Sequence, residues 1–177
     1  TMAKVMEEQS PAAIENNMGV DATGQVFNSI NAVEQYRGSE MNAMVNPGAI
    51  TATSMVQGKT RDEVWNKILA FHSDFAGRPL KVNQEVFESE AATNQRNKAI
   101  AALMYAYGFI KDNPDQATDI YTEQCAINVN AKDLAVMAGT LANNGKNPVT
   151  GKQVMKAANV PEVLAVMATA GLYDDSG

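Results

Sequence analysis

The sequence is short of the residues that most site chemistry uses. It holds one cysteine, Cys125, in 177 residues. That excludes an internal disulfide framework and fits a reducing, cytoplasmic setting. It holds one histidine, His72, so a His-rich metal site is excluded. Lys and Arg number 14 against 20 Asp and Glu, for a net charge of -6, and they form no cluster. A nucleic-acid partner, which needs a basic patch, is therefore not expected. No run of about 18 apolar residues occurs, so no membrane-spanning helix is expected. Gly-rich phosphate loops and metal-ligand spacings are missing too, and no cofactor is implied. No Ser-x-x-Lys occurs, the pattern in which a helix N-terminus and a lysine together activate a serine. Thr1-x-x-Lys4 has only its outline, and Cys125 and His72 share no motif that would make them a nucleophile and its base.

What remains is helical periodicity. Met2 to Gln9 reads as the end of a helix. Ser10-Pro11 starts another, reaching about Met18. Val26, Phe27 and Ile30 anchor a short helix or ordered loop reaching about Tyr36, and 37–46 reads as a packed loop. A helix follows from about Pro47 to Val56. Thr60-x-x-Glu63 is a capping box opening the helix of Val64, Trp65, Ile68, Leu69 and His72. Asn83 caps a short helix to about Glu90, and a helix bearing Asn97 runs to about Gly108. Asn113-Pro114 starts the next, with Ile120, Tyr121 and Cys125. Ile127 and Val129 suggest a very short extended piece. Leu134, Met137, Ala138 and Leu141 mark a helix, Gln153 to Asn159 a short one, and Pro161 the last, ending at Gly171. The methionines read as core filler. The fold class is mainly α, in one domain.

Ser89 to Asn97 is polar yet runs into the apolar segment Ile100 to Phe109. Asn97 falls on or beside the stripe of Ile100 and Met104. Glu90, seven residues earlier, would share that face in a continuous helix. Burying such groups unpaired costs roughly 2–7 kcal/mol each. Either they satisfy each other in a capping cluster, or they line a polar pocket. Asn46, Tyr121 and Tyr173 extend the candidate set. Two amides, a carboxylate and two phenols suit a small zwitterion, the carboxylate holding an ammonium group. Spacing alone does not select this set.

The chain resembles the serine-dependent glutaminases over nearly its whole length. The most specific match is Ser89-Glu90 with Arg96-Asn97. Around it lie Gly19 to Ser29, Asn42 to Ile50, Tyr121 with Cys125, Asp133-Leu134-Ala135, Thr140 to Gly151 and Gly171 to Gly177. The resemblance implies hydrolysis of L-glutamine to L-glutamate and ammonia through a glutamyl-serine intermediate, with no metal or organic cofactor. It implies a β-lactamase-like α/β fold for a full-length parent, of which residues 1–177 would be the helical subdomain, truncated at both ends. It implies a cytoplasmic homo-oligomer, dimer or tetramer. By the same resemblance Asn46 is a substrate-binding asparagine, Glu90 and Asn97 hold the substrate's amino-acid head, and Tyr121 lines the substrate pocket. Tyr173 contacts substrate and acts catalytically beside the nucleophile. That serine and its lysine would lie just before Thr1.

Several departures from the family pattern matter. The Ser-x-x-Lys, the Gly-rich segment after the last tyrosine and the sheet strands at both ends are missing, and within the covered part Glu40 is among the residues that differ. Pro47 stands where Ala is usual, Ala43 where Pro is usual, Asp21-Ala22-Thr23 for Glu-Pro-Ser, and Asn144 for Gly. Pro47 matters most, because an Asn-Pro pair is also how a capped helix start looks. Asn46 is then either a substrate ligand or a cap. At the level of function the alternatives are a penicillin-recognising or other amidohydrolase relative, and a non-catalytic binding or regulatory module derived from a glutaminase.

Overall fold

The computed structural model describes residues 1–176. In chain order the α-helices are α1 (Met2–Glu8), α2 (Pro11–Glu15), α3 (Ile30–Tyr36), α4 (Asn46–Ser54), α5 (Arg61–Ala76), α6 (Gln84–Thr93), α7 (Gln95–Ala106), α8 (Pro114–Cys125), α9 (Ala131–Ala142) and α10 (Val160–Ala170). Single 3-10 turns lie at Ala157–Asn159, just before α10, and at Tyr173–Asp175, just after it. Among the described residues there is no strand, only the isolated bridges Val82–Ile127 and Lys146–Gln153. The extended piece expected at Ile127 is the first of these.

The helix starts follow capping chemistry. Asn83, Asn113 and Asn130 accept hydrogen bonds from the backbone N–H groups of Val86, Gln116 and Asp133. Thr60 accepts from Glu63 N–H at 3.2 Å, but the Glu63 carboxylate takes the Lys59 N–H at 2.9 Å instead of completing the expected box. The complete box is Asn130 with Asp133, a pair the sequence pattern had not singled out.

The apolar residues divide into two cores. One gathers α1, α2, α5 and α10 around Val5, Ile14, Ile68 and Val163. The other gathers α3 and α7 around Val33, Met41, Ile100 and Met104. Helices α4 and α8 form the wall between them. Ala52 and Ile120 face the first core, and Ile50 and Ala117 face the second. Asn46 and Tyr121 sit on this wall.

Several segments behind the family resemblance are structural. Asn42 is fully buried; it donates to Asp21 O at 2.8 Å and accepts from Met44 N–H at 2.9 Å. A Cβ on Gly48 would lie 1.8 Å from the Asn42 carbonyl oxygen, so only glycine lets α4 approach that loop. Asn147, also fully buried, donates to Asp74 O and Phe75 O at 2.8 and 3.0 Å and accepts from Val149 and Thr150 N–H. Asp133 takes a two-pronged bond from Arg78 at 2.7 and 2.5 Å.

Some expectations need correction. The helix after Ser10 stops at Glu15, well short of Met18. No helix begins at Gln153; only Ala157–Asn159 turns, because Gln153 spends its amide on Asn144 O and Met155 O, both at 2.8 Å. Val26 and Phe27 anchor nothing inside, being 68% and 44% exposed. The helix marked by Leu134, Met137, Ala138 and Leu141 is present as α9, with Leu134 facing outward while Asp133 and Thr140 are buried. Asp133 is drawn in by its ion pair with Arg78, and Thr140 by bonds to Phe75 O and Val136 O. Most methionines are core filler as expected, Met2, Met6, Met18, Met41, Met104 and Met155 being buried, but Met167 is exposed.

Two measurements check this packing. Gly48→Ala should lower unfolding free energy by about 2 kcal/mol or more, since a well-packed site must shift to admit a methyl; urea denaturation reads it. His72 accounts for the second. It lies on α5 with Nδ1 at 2.8 Å from Ile68 O, and burial lowers its pKa to about 4 from 6.5. The unfolded chain then binds a proton before the folded one does, so stability should fall as pH drops from 6.5 toward 4. His72→Gln should flatten that part of a denaturation profile.

Candidate active site

The cleft where the candidate residues meet has a volume of about 570 Å³. Asn46, Glu90, Asn97, Tyr121 and Tyr173 all line it. They come from five places: the start of α4, the end of α6, the first turn of α7, the last turn of α8, and the 3-10 turn after α10.

The Asn46 side chain does not cap α4. Val45 holds the N-cap position, and Asn46 is already helical with Pro47 behind it. Pro47 therefore leaves Asn46 free to face the cleft. Its backbone N–H donates to Phe27 O at 2.8 Å. Tyr121 Oη donates to Asn46 Oδ1 at 3.2 Å, and Asn46 Nδ2 donates to Asn97 Oδ1 at 3.0 Å. This chain has one direction. It ends at the Asn97 amide nitrogen, whose N–H groups have no partner among the described residues. Burial, then the neighbouring Cys125, Tyr173 and Glu90, raises the Tyr121 pKa. The phenol is thus held neutral, as a donor.

Glu90 and Asn97 are on separate helices, because the chain breaks at Asn94. Glu90 is exposed. It faces the cleft and not the core, which resolves the buried-carboxylate problem posed by a continuous helix. Tyr173 is 42% exposed and takes the left-handed conformation, φ 54°. Its ring stacks on Phe27 at 5.5 Å between centroids. The next residue, Asp174, accepts from Gly24 N–H at 2.9 Å, fixing the turn to the Asp21–Gln25 loop.

Sequence reasoning missed Phe27 as a site residue, having assigned it inward. Ile30, three residues on, gave it an apolar partner at helical spacing, so its sequence carried no signal of exposure. Asn94 and Thr122 were missed as well, since single polar residues in helical runs carry no pattern. Arg96 also lines the cleft, with Nη1 3.5 Å from Asn28 O. Cys125 is on the lining, but His72 is not. Cys125 is exposed on that lining. Desolvation raises its pKa, Tyr121 opposes the shift and Glu90 adds to it, so the net effect favours the protonated thiol, the less nucleophilic form. Among the described residues no group of acidic, His and Cys side chains could hold a metal ion. No helix is long and apolar enough to cross a membrane among those residues.

A family model described as Glutaminase matches residues 1–177. A glutaminase of Brucella canis is 47% identical over the whole chain, which covers 56% of that relative. One of Colwellia psychrerythraea is 45% identical, again over the whole chain and 57% of its own length. The chain thus spans about half the length of the curated relatives it matches. Among solved structures, a probable glutaminase superposes with a TM-score of 0.95 at 39% identity, over 97% of this chain and 56% of that one. A chain titled Mglu, determined in its glutamate form, gives 0.89 at 32% identity, over 98% of this chain and 40% of that one.

Alkylation kinetics test the electrostatics of this cleft. Cys125 should react with iodoacetamide at pH 7 more slowly than free cysteine. Glu90→Gln should speed it; equal rates would show that the carboxylate does not reach the thiol.

Proposed function

The chain belongs to the glutaminase family, and from that membership we propose that the full-length protein hydrolyses L-glutamine to L-glutamate and ammonia. The observation that carries the reading is the directed chain from Tyr121 through Asn46 to Asn97, ending in a free amide donor in the same cleft as the Glu90 carboxylate. A donor and an anion in one cleft are what an amino-acid head needs: Glu90 holds the ammonium, and the amides of Asn46 and Asn97, oriented by the Tyr121 phenol that lines the cleft with them, serve the carboxylate.

In this proposal residues 1–177 are the helical part of one glutaminase domain, which acts as a cytoplasmic homo-oligomer. These residues contain no Ser-x-x-Lys, so the nucleophile comes from elsewhere in the full-length protein. Serine Oγ attacks the side-chain amide carbon, the C–N bond breaks, and the nitrogen leaves as ammonia after protonation. Water then cleaves the ester to glutamate and serine. Tyr173 stands at the cleft as the phenol that helps move the proton. The neutral state of Tyr121 suits orienting the Asn46 amide toward a bound carboxylate and not abstracting a proton.

A glutaminase assay of the full-length protein tests this. Wild type should release ammonia from L-glutamine, and Glu90→Gln should raise KM on the order of tenfold to a hundredfold, the worth of a charged hydrogen bond. Unchanged kinetics in Glu90→Gln would remove the head-binding role. A wild-type protein that binds glutamine without hydrolysing it would favour a binding module.

A further inference from the structure

Asn94 occupies the joint between α6 and α7, serving as the last residue after one and the first before the other, with φ -87° and ψ 21°. Asparagine at a helix start ordinarily turns its side chain onto the helix as a cap. Here no such bond forms. The side chain turns away, is 8% exposed, and donates from Nδ2 to Thr122 Oγ1 on α8 at 3.1 Å. Thr122 spends its own proton on Thr118 O at 2.8 Å, so toward Asn94 it can only accept. That fixes the amide's orientation and leaves Asn94 Oδ1 as a buried acceptor without a hydrogen-bond partner among the described residues. Local stability is given up twice at this residue, in the forgone cap and in the orphaned oxygen. A buried unsatisfied group of this kind marks a position where another requirement prevails.

The position suggests which requirement. Glu90 lies one turn before the joint on α6, and Asn97 lies on the first turn of α7. The angle at Asn94 sets the separation of these side chains. Thr122 follows Tyr121 on α8, and Tyr121 anchors the hydrogen-bond chain that ends at Asn97. We infer that Asn94 is a positioning residue for the substrate's amino-acid head: its bond to Thr122 clamps the α6–α7 joint to α8 and holds Glu90 and Asn97 at the spacing of an ammonium and a carboxylate. The inference rests on the glutaminase reading of this cleft.

The test uses the full-length protein with Asn94→Leu, Thr122→Val and Thr122→Ser. Asn94→Leu and Thr122→Val should each raise KM for L-glutamine about tenfold, with kcat within about threefold, the pattern of lost uniform binding. Their double variant should be no worse than either alone, because both remove one bond. Thr122→Ser keeps the acceptor and should keep the wild-type KM. Asn94→Leu removes the orphaned oxygen and should melt at or above the wild-type temperature. Thr122→Val leaves both ends of the amide unpaired and should melt below it. A KM within about twofold of wild type in Asn94→Leu, or a KM that rises only with falling melting temperature, would overturn the clamp. If wild type fails to hydrolyse glutamine, the functional reading falls on its own. The clamp is then judged by a crystal structure of Asn94→Leu, in which an unchanged separation of Glu90 from Asn97 refutes it.

Discussion

The cleft depends on the hydrogen bonds that run from Tyr121 to Asn46 to Asn97. They join α4 to the consecutive helices α7 and α8, which lie far from it in sequence. A phenol has one proton to give, so once Tyr121 commits it to Asn46 Oδ1, the Asn46 amide must present Nδ2 to Asn97. Asn97 must in turn accept through Oδ1 and keep its N–H groups for the cleft. Burial keeps the phenol neutral and the direction fixed. The geometry is rigid because its carriers are. Helices α4 and α8 are buried on two sides, between the cores around Ile68 and around Met104. A site built on the wall shared by two cores cannot drift without disturbing both.

This explains why much of the family resemblance falls on residues that touch no cleft. Gly48 admits the Asn42 carbonyl and so lets α4 dock where Asn46 reaches Phe27 O. Asn147 ties the end of α5 to the turn before Gln153. Asp133 ties Arg78 to the start of α9. These residues supply placement, whereas Glu90 and Asn97 supply contact surface. A motif match mixes the two kinds, and geometry separates them.

Much of the fold was legible in the sequence. Asn83, Asn113 and the Pro114 that follows it gave helix starts that the structure keeps, and the stripe Val64, Trp65, Ile68 is buried as its spacing required. The misses share a cause. Gln153 read as helical, and the apolar marks of α9 did not say which of them face inward, because local pattern takes no account of partners that arrive from elsewhere. The Arg78–Asp133 pair rotates α9, and Asn144 O with Met155 O claims the Gln153 amide. The cleft was legible only as a set of residues joined by resemblance. Nothing in their spacing says that positions 46, 97 and 121 bond to one another, or that Glu90 escapes burial at a break.

Tyr173 shows the same dependence from the other side. A tyrosine with φ 54° carries backbone strain that a glycine would not. Such a conformation persists only where its surroundings over-determine it. Here they do. The ring is stacked on Phe27, the following carboxylate holds Gly24 N–H, and Ser176 Oγ accepts from Leu172 N–H at 2.8 Å. Phe27 in turn is placed by its carbonyl, which takes the Asn46 N–H. The strained turn and the amide chain therefore share one anchor at the start of α4. A glycine at 173 would relax the backbone but lose the stack, and with it the ring at the cleft edge. The strain follows from bringing a phenol from the far end of the chain to the same cleft as Glu90.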